Sequence, residues 1–527
     1  MDVEHTCGHH RVSGDEMNNM LSSSDLYRPI KRTAHTPLFL SVLFILVWQL
    51  STFVWANEED LIASPEATAV THDESVFSSD PSYEDKPYSD EAQLKIYGGK
   101  FSVQTPRPLL ELGRPIYING PLSASGEALG AHNPTDNAFS VYGDWRTALA
   151  SNQVGNNRVN QVATRLNLDI DYKFTSTERI HAFVGPLDNG TSFTNCNLNG
   201  NKTCQSFTDF KFDTLFFEGD IGAIVGPGAT PAQSFDLPIA VGRMPLLMQN
   251  GVWMEDIISG VTVTVPARSS RALDISNMDV TFFAGRDASA GGVRDANNAV
   301  AFKQSTVAGV TAFIEANRGY WELGWARTDA PSNFNDQSYS NFGLAFTSRY
   351  AGLISNSVRL IDTYGQNRQN TSNTANGTLL LIENSLITSS PSTLVPYTNL
   401  FFGHDHPQSV SRAANAGGIL KNTGINFETD GLTGFPKLTD NANNMKGGAV
   451  GASYLFALDQ QLVIEWAMTQ PLGDASQRTL VGNEKAWGVR YQRNLDKRWI
   501  FRSDLISATR ENNTPLSGVR FEIRAKF

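Results

Sequence analysis

From Gln161 to Phe174 the side chains alternate without a break. Val162, Thr164, Leu166, Leu168, Ile170, Tyr172 and Phe174 fall on one face; Gln161, Arg165, Asn167, Asp169, Asp171 and Lys173 fall on the other. A period of two is the signature of a strand. A second face so heavily charged over so many residues is not what a soluble core strand carries. Shorter stretches repeat the pattern: Phe139, Val141 and Trp145 against Ser140, Asp144 and Arg146, then Val261-Val263-Val265, Phe342-Leu344-Phe346 and Leu462-Ile464-Trp466-Met468. The carboxyl end predicts three consecutive strands. Trp487, Val489 and Tyr491 alternate with Glu484, Arg490 and Gln492, and Trp499, Phe501 and Leu505 with Arg498, Arg502 and Asp504. Val519, Phe521, Ile523, Ala525 and Phe527 then alternate with Gly518, Arg520, Glu522, Arg524 and Lys526. A turn at Asn494-Leu495-Asp496 would set Tyr491 opposite Trp499 and Gln492 opposite Arg498.

The connections sort by length. Thr175 to Arg179, Asn317-Arg318-Gly319, Ala351-Gly352, Leu458-Asp459-Gln460 and Asn494 to Asp496 are short; Asp188 to Asp209, Asp287 to Lys303, Gln366 to Gly377 and Gly403 to Gly447 are long. Together with the terminal Phe527 and an export-type amino end, this resembles the outer-membrane β-barrels of Gram-negative bacteria. In that family a terminal Phe is the membrane-insertion signal, read by the barrel-assembly machinery. The resemblance implies an all-β, transmembrane, antiparallel up-and-down barrel in the cell outer membrane, in contact with its lipid. It also implies short periplasmic turns, long extracellular loops and both termini on the periplasmic side. Residues 95–527, at roughly 20–30 residues per strand and connection, predict about 16 strands, within roughly 14–18.

The amino end reads differently. Arg28, Lys31 and Arg32 precede an apolar run from Phe39 to Val47, and Val54-Trp55-Ala56 offers a cleavage site. Basic, apolar, then cleavable is the order of a secretory signal, so residues 1–56 are predicted to be removed, with Met17 or Met20 as an alternative start. An uncleaved anchor over Pro37 to Ala56 is the rival reading. Residues 57–94 hold eleven acidic side chains against Lys86 alone and predict a disordered periplasmic leader. The chain's net charge of −11 therefore belongs to its amino end: residues 95–527 carry 37 basic and 37 acidic groups.

Candidate chemistry is sparse. With Cys7 in the predicted signal, Cys196 and Cys204 share one long loop and predict a disulfide. No phosphate loop, dinucleotide fingerprint, zinc spacing or nucleophile elbow occurs, so no catalytic residue, metal, cofactor or nucleic-acid partner is assigned. His404-Asp405-His406 is the densest metal-capable group and reads as a solvated loop; His181 and His132 stand alone. What remains is the charged face. With aromatic faces toward lipid, Arg490, Arg498, Arg502, Asp504, Arg520, Glu522, Arg524 and Lys526 are candidate pore-lining residues. They either select ions or merely pair and solvate a polar lumen.

Gly242-Arg243-Met244-Pro245, Met248 to Asp256, and Ile257 to Val263 form a second stretch of interest. It is similar to the pore-narrowing region of alginate-export and related substrate-specific porins, though Met244 stands where that pattern has Gln. By this resemblance Arg243, Glu255 and Asp256 are candidate constriction residues. The function so implied is passive diffusion of ions or small hydrophilic solutes. The alternatives are a channel for an anionic saccharide, or a non-transporting barrel that displays the 403–447 loop or scaffolds a partner. Homo-oligomerisation is compatible with each.

Overall fold

The structure, a computed structural model, describes residues 108–113 and 137–527, apart from 176, 201, 226–234, 296, 370–371, 391–392, 429–430 and 457–458. The predicted signal (1–56), the acidic leader (57–94) and His132 lie outside the described residues.

Among the described residues the regular structure is almost wholly strand. The first strands are β1 (Leu110–Gly113), β2 (Ala138–Val154), β3 (Asn157–Lys173), β4 (Arg179–Val184), β5 (Asp188–Asn189), β6 (Ser192–Asn197), β7 (Thr203–Gln205) and β8 (Phe212–Asp220). Next come β9 (Pro238–Met248), β10 (Met254–Ser270), β11 (Ile275–Ala288), β12 (Ser305–Ala316), β13 (Gly319–Asp329), β14 (Tyr339–Tyr350) and β15 (Ile354–Tyr364). The last are β16 (Asn376–Leu386), β17 (Leu394–His406), β18 (Met445–Phe456), β19 (Gln460–Pro471), β20 (Glu484–Asn494), β21 (Trp499–Arg510) and β22 (Leu516–Lys526).

β2–β4 and β8–β22 pair antiparallel in succession, and β22 returns to β2, with Phe521 opposite Leu149 and Arg524 opposite Arg146. That ring closes a barrel of eighteen strands, not the sixteen expected, because most strand-plus-connection units run at the short end of the assumed length. Closure leaves no free sheet edge, so every wall strand has two hydrogen-bonded neighbours.

The faces follow the alternation. Trp145, Leu149, Trp325, Leu400, Phe402, Ile464, Trp487, Phe521 and Ile523 are exposed on the outside, while Asp171, Glu465, Glu484, Asp504, Arg520 and Glu522 are buried on the inside. The turn register differs from expectation. Tyr491 lies opposite Ser503 and Gln492 opposite Arg502, because β20 runs on to Asn494 before residues 495–498 turn the chain. The slip is four residues; an even slip keeps every side chain on its predicted face.

Connections at one end are short, among them 317–318, 351–353, 457–459 and 495–498. The exception at that end is 221–237, which opens with a one-turn helix, α1 (Ile221–Val225). At the other end lie 185–211, 289–304, 365–375 and 407–444. The first of these holds β5–β7. There β6 takes over the edge of β3 where β4 stops, placing Cys196 opposite Val162. Cys196 and Cys204 face each other across β6 and β7 and form a disulfide.

The longest connection, 407–444, folds into the lumen. Val410, Leu420, Phe427, Leu438 and Ala442 are fully or almost fully buried there, against the inward faces of Ile361, Leu379, Leu381, Phe401, Ala467 and Ala486. One side of the inner wall is therefore apolar and covered by this plug. The other side, from β20 through β22 to β2 and β3, is charged.

Candidate functional site

On the charged side, cross-strand neighbours build an ion network. Arg490, Asp504 and Arg520 stand in one row across β20, β21 and β22. The Asp504 carboxylate accepts from Arg490 Nε at 2.7 Å, Arg502 Nε at 2.8 Å and Arg520 Nη2 at 2.7 Å. Burying an ion pair is costly unless the partners are well satisfied. Here three guanidiniums surround one carboxylate, and the excess positive charge needs a further anion. Glu428, from the plug, provides it: its carboxylate meets Arg490 Nη1 at 2.5 Å and Arg502 Nη2 at 3.3 Å.

A second row is all basic. Arg165, Arg146 and Arg524 are direct cross-strand partners on β3, β2 and β22. Like charges placed opposite one another destabilise a sheet. Counter-charges offset this: Asp144 pairs with Arg146 and lies 3.7 Å from Arg524, Glu522 meets Arg524 at 3.2 Å, and Asp188 meets Arg165 at 3.4 Å. Arg146, Arg165, Arg502, Arg520 and Arg524 line a cavity of about 180 Å³ together with Phe193, Glu522 and Glu428.

The connection between β9 and β10 supplies the opposing surface. Trp253 is fully buried, its Nε1 donating to Asn341 Oδ1 at 2.6 Å. Beyond it the chain runs beside the plug: Val410 N donates to Trp253 O, Glu255 N to Ser411 O and Ala413 N to Glu255 O. Asp256 is buried and accepts from Ser289 N at 2.6 Å and from Ser411 Oγ, so it clamps the plug. Glu255 pairs with Lys421 and with Arg412 Nη2 at 3.2 Å, and it lines a larger cavity of about 510 Å³. Asn415 and Glu428 line both cavities.

Of the candidate constriction residues, Glu255 and Asp256 come together on the plug. Arg243 does not: it shares the outer face with Val241 and Leu247, which are exposed, and donates to Asp213 O at 2.7 Å, while Met244 takes the inward position. Among the candidate pore residues, Arg490, Arg502, Asp504, Arg520, Glu522 and Arg524 meet in the networks above. Arg498 lies exposed in the turn 495–498, and Lys526 is exposed at the end of β22. Phe527 extends β22 by exchanging backbone hydrogen bonds with Gly143 at 2.8 and 3.1 Å. His404 is exposed on the outer face of β17, and His181 sits inside, its Nδ1 2.8 Å from Asp171.

Sequence reasoning missed the plug and its anchors. Glu465 is fully buried and accepts from Tyr397 Oη, Ile425 N and both nitrogens of Asn426, at 2.5–2.9 Å. A legible signal was the run Leu379-Leu380-Leu381-Ile382: a wall strand apolar on both faces needs cover on its inner face. Glu428 had no such signal, since it stands in a polar stretch without period.

No family model matches this chain, and no curated protein does. Among solved structures, Pseudomonas aeruginosa OpdQ is 8% identical, covering 74% of this chain and 97% of its own, with a TM-score of 0.48. Pseudomonas aeruginosa OccK1 (OpdK) is 11% identical, covering 73% of this chain and 98% of its own, with a TM-score of 0.47. Both scores lie below 0.5, so function here rests on the chain's own geometry.

Proposed function

We propose that this chain is an outer-membrane channel for passive diffusion of small hydrophilic solutes, selective for anions such as carboxylated saccharides. The membrane reading is supported by the outer face. Tyr350, Tyr454 and Trp499 are exposed at the short-turn end, and Trp325, Tyr364 and Trp487 nearer the other. Aromatic girdles of this kind sit at the two interfaces of a bilayer. β15 runs from Ile354 to Tyr364; at ~3.3 Å per residue and a tilt of ~40° it crosses roughly 25 Å, the height of an outer-membrane apolar band. The predicted signal, acidic leader and Phe527 insertion signal fit this reading.

The observation that carries the selectivity is the unbroken row Arg165–Arg146–Arg524, with Arg502 and Arg520 beside it, around the 180 Å³ cavity. Fixed guanidiniums in a low-dielectric wall attract anions and orient carboxylates by paired N–H donors. The 510 Å³ cavity shares Asn415 and Glu428 with it, which supports a route for solute past the plug through both.

Planar-bilayer recording with a salt gradient tests this. The wild-type protein is expected to conduct steadily with a reversal potential favouring anions, and Arg146→Gln with Arg524→Gln to lower that preference several-fold at similar conductance. The extent of the plug supports a second reading, a barrel that conducts nothing as folded. Silent but correctly folded protein would establish it.

A further inference from the structure

Glu428 differs from the other acids of the charged wall in how it is held. Asp504, buried, is gripped by three guanidiniums including their Nε groups. Glu428 is more exposed, its side chain at 38%, and among the described residues its ion pairs are to Nη atoms, one of Arg490 and one of Arg502. It comes from the plug, not from the wall, and it lines both cavities.

Nor does the plug need this ion pair to stay in place. On the amino side, Ile425 and Asn426 are held by Glu465, and Phe427 packs edge-on against Phe401 at 5.9 Å between ring centroids. On the carboxyl side, Asn152 Nδ2 donates to Thr433 O at 2.8 Å and Gly434 O at 3.1 Å, and Arg520 lies over the Phe435 ring at 5.4 Å. Independent anchors on both sides hold this stretch of the plug, so the Glu428 carboxylate serves to balance the charge of the two arginines and not to seat the plug.

We infer that Glu428 is a tethered surrogate for the permeating anion. Its carboxylate occupies the Arg490–Arg502 pair when the channel is empty. A solute carboxylate takes those Nη donors by displacing it, and the Glu428 side chain returns when the solute leaves. The exchange swaps one carboxylate for another, so the arginine pair is never left uncompensated. Competition of this sort weakens resting affinity, which speeds release, and excludes solutes that lack an anionic group. The inference rests on the channel reading and adds to it a residue that sets specificity.

The test is Glu428→Gln and Glu428→Ala beside the wild-type protein, each refolded at full length and recorded in planar bilayers with chloride, then with acetate added as the competing carboxylate. Both variants are expected to raise the anion-to-cation permeability ratio, and Glu428→Ala to lower the acetate concentration that half-blocks the chloride current several-fold. An unchanged ratio and unchanged half-block in both variants would overturn the inference while leaving the channel reading intact. A plug that had merely collapsed would raise current for both ions without tighter acetate block, and that outcome overturns it too. Silence of the wild-type protein would remove the channel reading itself and this inference with it.

Discussion

Trp253 illustrates how one side chain fixes the β9–β10 tip against the inner wall. Its ring lies on Gly324 and Gly343, which are direct cross-strand partners on β13 and β14; a Cβ on either would stand 2.7–2.8 Å from the indole. Glycine is needed at both positions because a rigid ring, not a flexible chain end, fills the space. Asn341 accepts from the indole and donates onward to Gln408 O at 2.5 Å, linking the β9–β10 tip to the plug. Trp253→Ala is expected to cost about 3–5 kcal/mol, the usual range for emptying a buried aromatic site, and to raise conductance by freeing the tip. Denaturant unfolding in detergent micelles checks the first part. A loss under about 1 kcal/mol would mean the ring is not seated as described. Alternation could not assign Trp253 a role, since the tip leaves the wall and both its faces become inner.

The β5–β7 excursion carries the clearest pH dependence outside the wall strands. Burial pushes the Asp188 carboxyl up to about 6, and the nearby Asp213 and Asp209 add to this; Arg165 only partly opposes it. A raised carboxyl pKa means the folded hairpin binds a proton more readily than the unfolded chain. Its stability therefore grows as pH falls from about 7 toward the ordinary carboxylate value near 4. The hairpin should be better protected from hydrogen exchange at pH 5 than at pH 7, after correction for intrinsic rates. Asp188→Asn should abolish the difference, and equal protection at both values in the wild-type protein would refute it. At the scale of elements the sequence was most readable. The β3 and β22 alternations named the correct faces, and the five short connections named from sequence all fell at one end, although the turns 155–156 and 511–515 lie at the other. Strand number and the β20–β21 register were less readable, because a period of two is blind to even slips and turn residues such as Asn494 are at home in a strand end.

For the whole molecule, residues 407–444 cover an inner apolar patch that has the Glu465 anchor within it, and the charged wall from β20 to β3 lines the 180 Å³ cavity. A wall that closes on itself through the β22–β2 ladder does not depend on the plug for its hydrogen bonds. Its inner apolar surface does depend on it: Ile361, Leu379, Leu381 and Phe401 would face water if the plug were removed. Replacing residues 409–442 by a short Gly/Ser linker should therefore leave a folded barrel with lower resistance to denaturant. Its conductance should rise several-fold and its anion preference weaken, since a wider aqueous lumen screens the Arg165–Arg146–Arg524 row. Circular dichroism separates loss of the barrel from loss of the plug. A deleted variant with unchanged conductance would show that solutes never pass beside the plug, and would leave the charged wall a purely structural network.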